Sequence, residues 1–347
     1  MTCDIAIVSL GTTLGWQRAD TALAGALNEL GCSCQIVPVR IGAAGRLRRS
    51  MATTDAVEAL AARRSAAGVS ARAIVFSSIT AALLQRKPKL PHAVRFDSLA
   101  ALSRPGPGGA WQRRREPAVL ARADLLLPWG ETAAQAARAL VSTPAIVTLP
   151  VPIEPLNGGQ NRDLGLVAYA GNPAKRGLDL LCRAWTLATR PGDELVIGGI
   201  DGDAARRWLH RAGVREPAGV RWAGRLPHRE WLALVARARG FVNASRYEDW
   251  GIAQLEALAS GTPLVTVATP GPNEALALAR RLNPELVAAE PAPPALAEAI
   301  RRALSLPAPQ RHAYGEAAMA LLEPFRPEAV RHTLERRVLP VLLASSS

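Results

Sequence analysis

The chain has 347 residues, of which 49% are hydrophobic and 20% are charged, and this composition excludes a disordered protein. Its 42 Lys and Arg against 29 Asp and Glu give a formal net charge of +13, and all but three of the basic residues are arginine. This skew indicates compositional bias more than nucleic-acid binding. Aromatic residues make up 4% and provide no base-stacking platform, so we expect no nucleic-acid partner.

The basic excess is greatest in the first half of the chain. Its most clustered members are Arg46, Arg48, Arg49, Arg63, Arg64 and Arg113–Arg115. Such a face suits anionic lipid or a polyanionic acceptor, and the alternative is a solvated, arginine-rich surface. No apolar run approaches the ~18 residues that a membrane span needs, and the start lacks the basic segment of a signal peptide. We expect a cytoplasmic protein, with association at the inner face of a membrane left open.

Short apolar runs alternate with amphipathic stretches along the first half, which predicts βαβ units around a parallel sheet. The predicted strands are 4–10, 35–39, 73–76, 93–96, 124–127 and 145–149. The predicted helices are 18–30, 55–66, 112–123 and 132–140. The alternation stops at 154–163, where proline, two glycines and polar residues predict a linker.

The alternation restarts after the linker and predicts a second doubly wound sheet. Its predicted strands are 166–170, 194–197, 220–222, 241–243, 263–267 and 285–288. Its predicted helices are 178–187, 203–212, 228–239, 251–260, 273–281 and 295–304. After residue 305 a proline-rich stretch leads to a last basic helix over 327–339. Ligands of such sheets bind beyond the carboxyl ends of the strands, so we expect the site there, in an inter-domain cleft.

The most informative segment runs from Gly240 to Pro263. A buried strand is predicted to end near Asn243, and a polar loop then leads to a helix that starts near Gly251. The N–H groups and dipole of a helix that starts just past a strand favour a bound anion. Gly251 has no Cβ, so a phosphate can approach the N–H groups of Gly251 and Ile252 closely.

Two glutamates flank this predicted helix start. Glu248 precedes it in the loop, and Glu256 follows Gly251 by five residues, or roughly 7.5 Å along a helix. With phosphates on the N–H groups, Glu256 is placed to accept hydrogen bonds from a ribose diol and Glu248 to face a sugar. Glu290 and Glu298 share the same spacing but lie in a Pro/Ala-rich stretch without an anion site. Glu248 and Glu256 are therefore distinguished by the predicted strand, loop and helix start around them more than by their spacing.

This segment resembles the E-x7-E signature of family 4 retaining glycosyltransferases. The similarity extends through most of 164–304: residues 167–171 and 175–181 resemble the family's strand, glycine and K-G-x-x-x-L segment, and residues 221–226 resemble its strand-glycine turn near the nucleobase. Gly271-Pro-Asn-Glu274 lies where the family has a glycine-rich turn before an acidic residue. Over residues 1–150 only the order of the predicted strands and helices resembles that of the family.

The resemblance implies the α/β GT-B fold, with two doubly wound Rossmann-like domains facing each other across a cleft. The expected parts are an acceptor-side domain over 1–153, the linker 154–163, a nucleotide-sugar-binding domain over 164–325, and a helix over 326–347 that returns to the first domain. The implied reaction is a hexosyltransferase-type transfer from a nucleotide-diphospho-sugar, with retention of configuration, no metal and no further cofactor. The acceptor, whether glycan, lipid-linked or small molecule, is left open.

Lys175 and Arg176 are the cations expected to stabilise the departing diphosphate, and the sequence leaves open which of them contacts it. The family usually has an arginine directly after the glycine, where this chain has Asn172, and we count Asn172 among the donor-binding residues. In the first domain, the loop from Gly11 to Gly15 corresponds to the family's glycine loop, and Gly15 is expected near the donor.

Asp97 follows the fourth strand, where many relatives carry a His-Asp pair and this chain has Phe96 in place of the histidine. We expect Asp97 to contact the acceptor or sugar, or to cap the next helix.

Asp201-Gly202-Asp203 matches the metal-binding D-x-D motif of another glycosyltransferase fold, but a turn with a helix cap explains it as well. Three other functions are kept as alternatives: a GT-B epimerase or phosphorylase, a catalytically silent relative that binds sugar nucleotides, and, more distantly, a basic nucleic-acid-binding protein.

Overall fold

The computed structural model describes residues 2–86, 88–156 and 162–344. Residues 157–161 of the predicted linker 154–163 therefore lie outside the described residues. The chain divides into two compact units. One consists of Met1–Pro152 with Pro324–Ser347, and the other of Ile153–Glu323. Among the described residues, no helix is long and apolar enough to cross a membrane.

The N-terminal unit is built on a six-stranded parallel sheet with the strand order β2-β1-β3-β4-β5-β6. Its strands are β1 (Cys3–Ser9), β2 (Cys34–Pro38), β3 (Ala71–Phe76), β4 (His92–Phe96), β5 (Leu125–Pro128) and β6 (Ala145–Ile146). The helices are α1 (Leu14–Glu29), α2 (Met51–Ala67), α3 (Ile79–Ala82), α4 (Ala100–Ser103), α5 (Ala110–Leu120) and α6 (Glu131–Leu140).

The C-terminal unit contains a second six-stranded parallel sheet, in the order β12-β11-β10-β7-β8-β9. Its strands are β7 (Leu164–Tyr169), β8 (Leu195–Gly198), β9 (Val220–Gly224), β10 (Ala238–Asn243), β11 (Leu264–Val267) and β12 (Val287–Ala288). Its helices are α7 (Leu178–Ala188), α8 (Gly202–Arg211), α9 (His228–Ala236), α10 (Ile252–Ala259), α11 (Glu274–Leu282), α12 (Pro293–Ser305) and α13 (Ala308–Leu321). Strand order reverses between β7 and β10, which is where ligands of doubly wound sheets bind.

The end of the chain packs on the first sheet. Residues 327–343 form α14 (Pro327–Thr333), a π-helical turn (Leu334–Val338) and α15 (Leu339–Leu343). Their apolar face joins the core formed by β1, β3, β5 and α1 through Val330, Leu334, Val338 and Leu342. The predicted helix over 327–339 is thus present, but it contains a π-helical turn and continues to Leu343. Pro340 has no N–H and its ring crowds the carbonyl of the preceding turn, which favours the wider π turn.

Each of the twelve predicted strands has its counterpart in the sheets, but several predicted helix limits were wrong. Helix α13 occupies the proline-rich stretch after residue 305, because Pro307 and Pro309 stand at the helix start, where their missing N–H groups cost nothing. Helix α1 begins at Leu14, with Thr13 as its N-cap, so Gly15 lies in the first turn and not in a loop. The helix predicted to reach residue 239 ends at Ala236, and β10 begins at Ala238.

A buried ion pair joins α1 to β4 inside the N-terminal unit. Asp20 and Arg95 are each 1% exposed, and Arg95 Nη1 lies 3.4 Å from Asp20 Oδ1. Ser9 Oγ donates to Asp20 Oδ2 at 2.5 Å, and the Arg95 guanidinium stacks 4.9 Å from the ring centroid of Trp129. Burial raises the pKa of Asp20 and lowers the pKa of Arg95 to about 10. Each charge therefore depends on the other.

We predict that Asp20→Ala lowers the free energy of unfolding of the N-terminal unit by about 3–5 kcal/mol, because it removes the buried partner of the Arg95 charge. Glu328→Ala is the control, since it removes the exposed pair with Arg331, which is worth at most ~1 kcal/mol. Thermal and urea unfolding measure both. Equal small shifts in the two variants would contradict the importance of the buried pair.

Candidate active site

Three loops meet at the carboxyl edge of the C-terminal sheet. They are loop A (170–177, after β7), loop B (244–251, after β10) and loop C (268–273, after β11). Loop B lies between the others: Arg246 N donates to Lys175 O at 2.9 Å, and Glu248 N donates to Pro270 O at 3.2 Å. The strand order explains this arrangement, because β10 is flanked by β7 and β11.

Two glycines allow the loops to pack backbone against backbone. Gly177 has a φ of +60°, and a Cβ on it would lie well under 3.0 Å from the carbonyl oxygen of Ala244. Gly271 has a φ of +110°, and a Cβ on it would overlap the carbonyl oxygen of Glu248 in the same way. Any other residue would push loop B away from its neighbours. Both glycines belong to segments that resemble the family 4 enzymes, but their contacts could not be read from the sequence.

Loop B buries Glu248, which is 5% exposed, against Arg176 of loop A. Arg176 Nη1 forms an ion pair with Glu248 Oε2 and donates to Ser245 Oγ at 3.2 Å. Ser245 Oγ in turn lies 2.7 Å from Asn243 Oδ1, to which it donates. The guanidinium also lies 5.9 Å from the ring centroid of Tyr169. The structure thus brings together two predicted site residues, Arg176 and Glu248, as partners.

Lys175 and Asn172 lie on the exposed side of loop A. Lys175 Nζ is 3.7 Å from Asp249 Oδ2, with 41% of its side chain exposed. The Asn172 side chain accepts a hydrogen bond from Lys175 N at 3.1 Å, and its carbonyl accepts one from Arg176 N at 2.8 Å. Asn172 therefore shapes the turn that carries both cations. The Lys175 ammonium is the more accessible cation of the two.

The N-terminus of α10 lacks a side-chain cap. Gly251 occupies the cap position with a φ of +85°, and Ile252 is the first helical residue. The first N–H groups of a helix have no intrahelical acceptor. Two buried amide nitrogens, Gln254 Nε2 and Asn273 Nδ2, also have no hydrogen-bond partner among the described residues. Gln254 Nε2 lies 2.8 Å from the position that a Cβ on Gly251 would occupy. Buried donors without a partner therefore lie beside the helix start, as expected for an anion site.

Glu256 lies on α10 and is 8% exposed. Its Oε1 is 2.7 Å from Nε2 of His228, the first residue of α9. His228 was not among the predicted site residues. The usable signal was its position: it follows the strand-glycine turn at Gly224 and starts a helix at the carboxyl edge of the same sheet.

The two remaining predicted residues lie in the N-terminal unit. Gly15 is half-buried in the first turn of α1, after the loop that follows β1, and Asp97 is half-buried directly after β4. Both loops are at the carboxyl edge of that unit's sheet. Asp97 is close enough to Arg95 to affect the pKa of that guanidinium.

The D-x-D segment forms a helix cap. Asp201 Oδ1 accepts hydrogen bonds from Asp203 N at 3.0 Å and Ala204 N at 3.3 Å, and Asp203 pairs with Arg206 at 3.0 Å. Asp201 is therefore the N-cap of α8, and Asp203 forms an ion pair within the same helix.

We predict that Gly271→Ala destabilises the C-terminal unit more than Gly192→Ala. Both glycines have a left-handed φ, +110° and +99°, but no heavy atom lies within 4 Å of a Cβ built on Gly192. Both alanine variants therefore carry a similar backbone strain, of order 1–3 kcal/mol. The difference between their losses of stability measures the overlap of a Cβ at position 271 with the carbonyl oxygen of Glu248. Thermal unfolding tests it, and equal shifts would contradict the close packing of loops B and C.

Part of the chain is similar in sequence to known proteins. Residues 159–320 match the model of the family described as "Glycosyl transferases group 1". A glycogen synthase of Mycobacterium tuberculosis is 42% identical over 90 residues, which are 25% of this chain and 21% of that protein. The chain thus aligns with about a fifth of the length of this relative.

Similar solved structures show the fold. Sucrose-phosphate synthase from Thermosynechococcus elongatus superposes with a TM-score of 0.76 at 20% identity, covering 99% of this chain and 100% of that one. A UDP-forming α,α-trehalose-phosphate synthase from Burkholderia xenovorans gives a TM-score of 0.61 at 15% identity, covering 82% and 77%. The predicted fold class is confirmed: the chain has the GT-B fold, and residues 159–320 are similar to the glycosyltransferase group 1 family.

Proposed function

We propose that this protein is a glycosyltransferase that transfers a hexose from a nucleotide-diphospho-sugar, with its donor site on loops A and B and the start of α10. The observation that carries the proposal is the arrangement around loop B. A buried, oriented carboxylate at Glu248, an uncapped helix start at Gly251 and a second carboxylate at Glu256 lie at the point where strand order reverses. The matching family model supports the same reaction class.

Each group receives a role that its environment supports. The diphosphate binds the N–H groups at Gly251 and Ile252, because donors there lack acceptors. Lys175 supplies the cation for the diphosphate, since its ammonium is exposed and only loosely paired. Arg176 instead holds Glu248, its ion-pair partner, in position. Glu256 accepts hydrogen bonds from the ribose diol.

In the proposed reaction, the bond between the anomeric carbon and the diphosphate oxygen breaks, and a bond to the acceptor oxygen forms. Negative charge grows on the departing diphosphate, where the helix start and Lys175 stabilise it without a metal. The acceptor proton passes to the departing phosphate oxygen. Glu248 orients the donor sugar. Retention of configuration is part of the proposal and rests on the resemblance to family 4 enzymes.

The acceptor is proposed to bind the N-terminal unit, near the loops that carry Gly15 and Asp97. The donor nucleotide is proposed to be UDP, because one of the structures with the same fold is a UDP-forming enzyme. Isothermal titration with UDP, ADP and GDP tests the proposal directly. Micromolar to submillimolar binding that is tightest for UDP supports it. Tighter binding of ADP or GDP would contradict the assignment of UDP, and no binding of any at millimolar concentration would contradict the donor site itself.

We predict that Glu256→Ala weakens nucleoside diphosphate binding by about 10- to 100-fold, because hydrogen bonds to a charged group contribute about 1.5–3 kcal/mol. Glu298→Ala is the matched control. It belongs to the other glutamate pair with the same spacing and forms exposed pairs with Arg301 and Arg302. Unchanged affinity in Glu256→Ala would contradict the ribose role.

We predict that Glu248→Gln and Glu248→Ala mainly lower turnover and leave nucleotide affinity within a few-fold. Glutamine keeps a partner for Arg176, so it separates the loss of charge from the loss of the buried contact. Steady-state kinetics with donor hydrolysis as the readout measure both constants. A large change in affinity with unchanged turnover would place Glu248 on the nucleotide and not on the sugar.

We also propose that the N-terminal unit associates with anionic membranes through a segment defined by Arg46–Met51. Leu47 is 61% exposed and Met51 48% exposed, and the arginines between and beside them are exposed as well. Apolar side chains beside cations suit the interface of an anionic bilayer.

Cosedimentation with vesicles tests this surface. We expect binding to phosphatidylcholine vesicles with 30% phosphatidylglycerol, little binding to pure phosphatidylcholine, and a marked loss in Leu47→Gln/Met51→Gln. Leu187→Gln, which removes an equally exposed leucine (55%) from the C-terminal unit, is the control. Equal binding by both variants would contradict the proposal.

A further inference from the structure

Glu256 is not an isolated acceptor. Its Oε1 lies 2.7 Å from Nε2 of His228, on a different helix and 28 residues away along the chain. Within the described ranges 2–86, 88–156 and 162–344, this is the one hydrogen bond found for the carboxylate. The Glu256 side chain is 11% exposed and that of His228 is 36% exposed, so the pair lies at the surface of the site with the carboxylate on its inner side.

The chemistry of the pair fixes the imidazole. An ionised carboxylate only accepts hydrogen bonds, so Nε2 must carry the hydrogen that faces Glu256. This contact occupies Oε1 and limits rotation of the carboxylate about its last bond. Oε2 then remains as the acceptor for a ligand hydroxyl. Because α9 and α10 hold the two partners, the direction of Oε2 is set before any ligand arrives.

We propose that His228 is a positioning residue for ribose recognition: it holds Glu256 so that Oε2 accepts a hydrogen bond from a ribose hydroxyl. This inference rests on the proposed function, and it names a residue that acts through Glu256. A histidine that only stabilised the fold would affect all nucleotides equally. A histidine that orients the ribose acceptor affects only ligands that have ribose hydroxyls.

The experiment therefore compares each ribonucleotide with its analogue lacking both hydroxyls. UDP and ADP, and their 2′,3′-dideoxy forms, are titrated into the full chain and into four variants. The variants are His228→Ala, His228→Gln, Glu256→Ala and His312→Ala. His312 is the matched control because it forms an exposed pair with Glu316, with 68% and 66% of the side chains exposed.

We expect the unsubstituted protein to bind the ribonucleotide at least tenfold more tightly than its dideoxy form. In His228→Ala that ratio falls by 5- to 10-fold through weaker ribonucleotide binding, with the dideoxy affinity unchanged. Glu256→Ala brings the ratio close to one. His228→Gln, whose amide can still donate to Oε1, restores most of the ratio, and His312→Ala leaves it unchanged.

Failure of this inference differs from failure of the proposed function. If the unsubstituted protein binds no nucleoside diphosphate, both are overturned. If it binds the ribonucleotide and its dideoxy form equally, the ribose roles of Glu256 and His228 are wrong while the proposed donor site stands. If Glu256→Ala abolishes the discrimination but His228→Ala preserves it, the ribose site stands and the role of His228 is wrong. If His228→Ala weakens both forms equally, its role is structural. A circular dichroism melt of each variant identifies any that does not fold. If His228→Ala does not fold, His228→Leu, which fills the space but cannot donate a hydrogen bond, takes its place and is expected to lower the ratio in the same way.

Discussion

The close backbone contact of loops A, B and C is the constraint on which the rest of the C-terminal unit depends. Loop B reaches its position because Gly177 and Gly271 leave room for the carbonyl oxygens of Ala244 and Glu248. That position brings Glu248 to Arg176 and sets the start of α10 beside buried amide donors. A side chain at either glycine would displace the carboxylate and the helix start together.

Buried charge has different consequences in the two units. In the N-terminal unit, Asp20 and Arg95 are both 1% exposed and neutralise each other within the core. In the C-terminal unit, Glu248 is buried but its partner Arg176 keeps 23% of its side chain exposed. The first arrangement fixes β4 against α1. The second holds an acid at the edge of a site, where a ligand can compete for the surrounding polar groups.

Much of the architecture could be predicted from the sequence, because parallel strands covered on both faces appear as continuous apolar runs. Helix limits were less predictable. The prolines before α13 indicated a break, although proline is also favoured in the first turn of a helix. The segment containing Gly251 and both glutamates was found from the predicted strand, loop and helix around it.

The pairings within the site could not be predicted from local pattern. Arg176 and Glu248 are 72 residues apart, and His228 and Glu256 are 28 apart. Both contacts arise from strand order and from backbone packing at glycines, which depend on the complete fold. Lys175 and Arg176, the two predicted diphosphate cations, also differ in exposure. Their adjacent positions in the sequence could not show this difference.

We propose above all that the carboxyl edge of the C-terminal sheet binds a nucleotide sugar. Hydrogen–deuterium exchange with and without saturating UDP-glucose or ADP-glucose tests it most directly, because it reports where a ligand protects the backbone. We expect protection concentrated in residues 171–177, 226–230 and 244–256 with one of these donors. Protection confined to other segments, or none with either donor at millimolar concentration, would contradict it.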